Sequence, residues 1–170
     1  MTSKVPPFSE LIKNATTLAV HLEMRDQYTP DDPVFLRWLA GTPDPDPVYP
    51  DWYDLVRTLT ARGVSVRRAR VVSEPLSEFV RFEYDITDGL NIAAGERVRW
   101  LPRRQASDLC LPGNDFWVLD DRLVRFGYFA GNGDYLGEEM SDDPALVHLC
   151  TSAFEAVWER STDHAEYQPK

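Results

Sequence analysis

The chain has 170 residues and a formal net charge of −10, with 43% hydrophobic and 27% charged residues. One domain of this size buries about 70% of the surface its unfolded chain exposes, so it needs neither a metal nor a disulfide to fold. The acidic balance repels phosphate backbones and anionic lipid heads, which sets an expectation of no direct nucleic-acid contact and no membrane association.

Residues 1–17 read as a partly flexible N-terminal arm with a short helix over 9–14, and residues 1–170 as a single domain. Residues 19–25 alternate: Val20, Leu22 and Met24 face one way and His21, Glu23 and Arg25 the other, which predicts a strand. Asp32 precedes Pro33 as an N-cap before a proline at the first helical position, and Gly41 ends that short helix. The proline-rich stretch that follows is a loop. Trp52, Leu55, Val56 and Leu59 have helical spacing, with Gly63 as C-cap. The β-branched run 64–73 predicts a strand, Ser73 then caps a helix carrying Phe79, Phe82, Tyr84 and Ile86, and 96–102 predicts a second, parallel strand.

A short helix is expected over 104–109, a hairpin over 115–119 and 123–129, and an edge strand at Tyr135–Met140 after the Gly-Asn-Gly-Asp turn. Ser141 is the expected cap of a last helix running from Pro144 to about Arg160, with a stripe of Leu146, Val147, Cys150, Phe154, Val157 and Trp158. Together these predict an α/β fold: one mixed central sheet covered by helices. Cys110 and Cys150 form no Cys-x-x-Cys pair and lie in apolar surroundings, so both are read as buried thiols of a cytoplasmic protein.

Charged side chains gather around two strands. Glu23 lies on the polar face of the first, Arg68 and Arg70 share one face of the 64–73 strand, and Glu74 and Arg81 follow it. The carboxyl ends of strands in open α/β sheets are where ligands bind. A buried arginine pair is costly unless paired, so salt bridges from Arg68 or Arg70 to Glu23 or Glu74 are expected. These five residues form either a structural ion-pair network or a pocket for an anionic small molecule. His21, His148 and His164 lack metal-ligand spacing, and no phosphate loop or nucleophile elbow is present; neither a metal nor a cofactor is expected.

The hairpin ending in Asp120-Asp121, with its Gly-rich turn and the Ala-Phe-Glu-Ala-Val-Trp-Glu-Arg helix, resembles a phospholipase D-like half-domain. That resemblance implies the fold, with catalysis by a His-x-Lys-x4-Asp motif. Aligning the Asp with Asp120 places Gly113 and Asp115 at the His and Lys positions, and aligning it with Asp121 places Asn114 and Phe116 there. Neither register supplies a nucleophile or a cation for phosphoryl transfer. The hairpin is therefore expected to be central sheet, with any function located around the arginines. The phrases HLEMRDQY, VRRARVVSEPLSEFVRFEY, VRWLPR, LPGNDFWVLDDRLV and FAGNGDYLG also resemble an uncharacterised family of high-GC soil bacteria encoded beside helix-turn-helix regulators. This implies a non-enzymatic regulatory or accessory module that binds a regulator protein or a small effector. The alternative is an enzyme using Glu23, Arg70, Glu74 and Arg81 on an anionic substrate.

Overall fold

The computed structural model describes residues 7–170. Among these residues, seven strands form one mixed sheet in the order β6-β5-β4-β1-β2-β3-β7. β1 (Leu18–Glu23), β2 (Ser65–Val72) and β3 (Arg97–Pro102) are parallel neighbours, while β4 (Phe116–Leu119), β5 (Leu123–Phe129), β6 (Tyr135–Ser141) and the short β7 (Thr162–Asp163) join antiparallel. This is the expected α/β class. Among the described residues no helix is long and apolar enough to cross a membrane.

Period-two alternation sends each strand's side chains to two different layers. Val20, Leu22, Ala69, Val71, Phe116 and Val118 pack on one face against Val147, Phe154 and Val157 of α5 (Pro144–Arg160). Such a core accounts for the almost uninterrupted burial of β2 and β4, as strands covered on both faces require. On the opposite face, Ala19, Val66, Trp117 and Leu119 meet Ile12 of α1 (Phe8–Lys13) and Val56 and Leu59 of α3 (Pro50–Ala61). The aromatic side chains Phe79 and Phe82 of α4 (Glu78–Thr87) close on Phe35 of α2 (Pro33–Leu39).

Two caps differ from the sequence expectation. Ser77, not Ser73, caps α4 by accepting from the Val80 amide, because Ser73 is engaged by Asp26 through both its amide and its hydroxyl. Asp143, not Ser141, caps α5, repeating the Asp-Pro arrangement that starts α2 at Asp32. Cys150 is buried as expected, but Cys110 is exposed, because it sits in the loop between the 3-10 turn Arg103–Ala106 and β4.

The Asp120-Asp121 corner is a clamp. Both residues have positive φ (52° and 51°), and the Asp120 carboxylate accepts from the amides of Thr16, Thr17 and Leu18 at 2.8–3.1 Å. Partial burial works against the charge, but these amides outweigh it and hold Asp120 down to about 2. Replacing Asp120 with Ala removes the acceptor of these three amides and of the Thr16 and Thr17 hydroxyls, and is expected to cost about 2–3 kcal/mol by chemical denaturation. Asp120→Asn keeps one acceptor and tolerates the left-handed backbone, so it should lose clearly less.

Candidate functional site

Strand register assembles the site on the face opposite α5. One cross-strand row runs Arg125, Trp117, His21, Arg68, from β5 to β2. The next runs Asp115, Glu23, Arg70, Trp100: Asp115 immediately precedes β4, and the other three lie on β1, β2 and β3. Side chains that alternate in sequence thus become neighbours across four strands, and their charges must balance locally.

They balance through a buried network. Glu23 is 6% exposed, Arg68 8%, Arg70 4% and Glu96 2%. Arg68 donates to Glu23 through Nη1 and to Glu96 through Nε at 2.8 Å. Arg70 donates to Glu23 through Nε at 2.6 Å and to the Thr87 hydroxyl through Nη1 at 2.8 Å. Asn91 in turn donates to Glu96 at 2.6 Å. Burial alone would raise the Glu23 carboxyl, but Arg68 and Arg70 outweigh it and hold Glu23 far below the usual carboxylate range.

A third carboxyl breaks the symmetry. Glu83 on α4 is 8% exposed, and its Oε1 lies 3.7 Å from Arg70 Nη2. No hydrogen bond reaches its carboxyl oxygens among the described residues. Burial pushes Glu83 up to about 8; Arg70 pulls against this and Glu23 adds to it. Asp115 is raised to about 6, by burial first, although the Tyr28 hydroxyl and the Met24 amide donate to it. His21 lies 3.3 Å from Glu23 Oε1, but its Nδ1 is not aligned for a hydrogen bond. Burial lowers its pKa and Glu23 only partly compensates, so the ring is neutral, stacked 4.2 Å from Trp117.

Two cavities open above these rows. The first, about 340 Å³, has aromatic walls from Tyr49, Trp52, Phe79, Phe82 and Trp117, and polar lining from Arg68, Arg70, Glu83, Asn91 and Arg125. Its neighbour, about 290 Å³, is lined by His21, Glu23, Tyr28 and Asp115 and shares Trp117 and Arg125 with the first. Apolar walls around a few convergent polar groups are the usual anatomy of a small-molecule site. Asn91 Oδ1 is buried without a hydrogen-bond partner among the described residues. Such an orphan is costly unless something completes it.

The structure brings together Glu23, Arg68 and Arg70 of the five expected residues. Glu74 lies elsewhere, accepting from the Tyr167 hydroxyl at 2.9 Å. Arg81 is exposed and its charge reaches Tyr167, so it belongs with Glu74 rather than with the cleft. Sequence reasoning missed Glu83, Glu96, Asn91 and the hairpin residues Trp117 and Arg125. Glu83 did carry a signal, since Phe79, Phe82, Glu83 and Ile86 follow the 3-4-7 spacing of one helix face.

Comparisons of the fold give, among others, two solved structures. TrmBL2, an archaeal chromatin protein with a novel mode of DNA binding, matches 91% of this chain with TM-score 0.48 and 13% identity. This chain spans 48% of TrmBL2, about half its length. NucT from Helicobacter pylori matches 91% of this chain and 87% of its own, with TM-score 0.51 and 11% identity. At these identities the likeness concerns the fold.

These findings correct the expectation of no direct nucleic-acid contact. That expectation rested on net charge alone. Net charge also says little about local potential: Arg67, Arg97 and Arg99 gather around the Trp158 ring at 5.2, 5.3 and 4.5 Å, on the face packed by α5. No curated protein matches the chain. The family described as a domain of unknown function, DUF6879, matches residues 6–169, and this chain belongs to it.

Proposed function

We propose that the chain is a non-enzymatic binding module whose small effector occupies the aromatic cleft above Arg68 and Arg70. One observation carries the reading. The polar groups of the network that make no hydrogen bond among the described residues belong to residues lining the two cavities: Arg68 Nη2, Arg70 Nη2, the Glu83 carboxyl and Asn91 Oδ1 at the first, and His21 Nδ1 at the second. A purely structural cluster gains nothing from leaving polar groups incomplete beside a cavity. In this reading a helix-turn-helix regulator is the protein that senses the loaded state, in keeping with the family resemblance.

A second reading, an enzyme, draws on Glu83. A carboxyl raised to about 8 beside an arginine suits proton transfer near neutral pH. The network is otherwise closed on itself and presents no nucleophile, which favours binding over turnover.

Trp52 and Trp117 line the cleft, so their emission reports occupancy. Titration with 2-naphthoate should change tryptophan emission saturably. Ile86→Trp, which fills the cavity without touching a charged group, should abolish the change while preserving the thermal melt. An unsaturable response, or one unaffected by filling the cavity, would remove the cleft as a binding site.

A further inference from the structure

We infer that Arg70 and Glu83 read the amide-type edge of a planar heteroaromatic ring, the adjacent C=O and N–H of a lactam such as a pyrimidine base presents. The inference rests on the cleft being the binding site and names what it binds.

The donor is Arg70 Nη2. The guanidinium is fixed from behind by Glu23 on Nε and Thr87 on Nη1, and it lies 4.9 Å from the Trp100 ring centroid. Nη2 has no hydrogen bond among the described residues, and its nearest acidic oxygen is Glu83 Oε1 at 3.7 Å, beyond hydrogen-bond length. The acceptor is Glu83. Its backbone is anchored in α4, where the Glu83 carbonyl accepts from the Thr87 hydroxyl at 2.6 Å, and Glu83 is among the residues that line the cavity. Donor and acceptor therefore stand side by side on preorganised supports, 3.7 Å apart and each without a hydrogen-bond partner among the described residues.

A carboxylate ligand pairs with Arg70 but brings no donor for Glu83. A hydrocarbon would leave both groups unsatisfied, and an amine would meet Glu83 while facing a guanidinium. A ring with neighbouring acceptor and donor satisfies both at once, and the aromatic walls of Tyr49, Phe79 and Phe82 offer faces for stacking. A volume of about 340 Å³ accommodates one or two fused rings. Recognition by a buried donor–acceptor pair is selective because a ligand lacking one group leaves a protein group unpaired.

The test compares 2-pyridone with 1-methyl-2-pyridone on the wild-type chain by tryptophan emission, with 2-naphthoate as the cleft reference. Loss of the N–H should weaken binding at least about tenfold. In Glu83→Leu, which exchanges a buried carboxyl for an apolar side chain of similar volume, the two pyridones should bind alike. Equal binding to the wild type, with 2-naphthoate still bound, overturns the amide-edge inference and leaves the cleft intact. No response to any of the three overturns both. Uracil and a single-stranded dT10 oligonucleotide then identify the source. Tighter, salt-sensitive binding of dT10 supports a base presented by a strand, and binding of uracil alone supports a free base. If 2-pyridone binds but neither base does, the inference fails for nucleobases.

Discussion

Arg70→Ala is expected to lower the melting temperature by roughly 6–20 °C. The side chain is 4% exposed, and its loss leaves Glu23 with one guanidinium and Glu83 with none. Breaking a buried pair from one side costs about 3–5 kcal/mol, because the remaining charge is stranded in low dielectric. For a domain of this size each kcal/mol moves the melt by about 2–4 °C. Loss of the stack on Trp100 adds to the effect. The double variant Arg70→Met, Glu23→Gln removes both charges and should recover much of the loss. A shift of less than about 2 °C for Arg70→Ala would show that the arginine is held for a ligand and does little for the fold.

The second large effect is a fall in stability as pH rises from about 5 to about 8. Glu83 is raised in the folded chain, by burial above all, to about 8. Between its ordinary value near 4.5 and that raised value, the folded state binds the proton and the unfolded state does not. The unfolded chain thus holds fewer protons, and unfolding free energy declines with pH across that window. Asp115, raised to about 6, adds a contribution of the same sign over the lower part of it. Glu23 has the opposite sign: its depressed pKa stabilises the fold above the usual carboxylate range and is lost only in acid. His21 and His164, lowered by burial, work against this decline below their ordinary value of 6.5, so the net fall is steepest between about pH 6.5 and 8, on the order of 1–2 kcal/mol there. Urea denaturation at pH 5, 6.5 and 8 measures it, and Glu83→Gln should flatten most of the slope. A wild-type curve with no slope, or one the substitution leaves untouched, would contradict the assignment.

The legible parts of the fold were those governed by local periodicity. Alternation in His21, Glu23, Arg68 and Arg70 located the charged sheet face because a strand allows only two side-chain directions. The Asp-Pro start of α2 was equally legible. Ser73 and Ser141 misled because each is a valid cap followed closely by a better-placed one, Ser77 and Asp143. The hairpin was read as packing, which holds for Phe116 and Val118. Its other face enters the cleft only because β4 pairs with β1, about a hundred residues earlier, and no local pattern encodes that pairing. Glu83 was within reach, but a carboxylate on an apolar helix face is easily taken for a solvated side chain.

Asn91 illustrates a different limit. It sits in a π-helical turn, Asp88–Ile92, that continues α4 with a wider ring of backbone. A π turn accommodates one residue more than regular helix, and each residue of helix turns the side chains by about 100°. Shortening this turn by one position would leave the α4 wall standing and swing Asn91 away from Glu96. The floor of the cleft can therefore be altered by a change in chain length alone, with every side chain that lines it kept. Variation among related chains at this site should accordingly be sought in single-residue insertions and deletions as well as in substitutions.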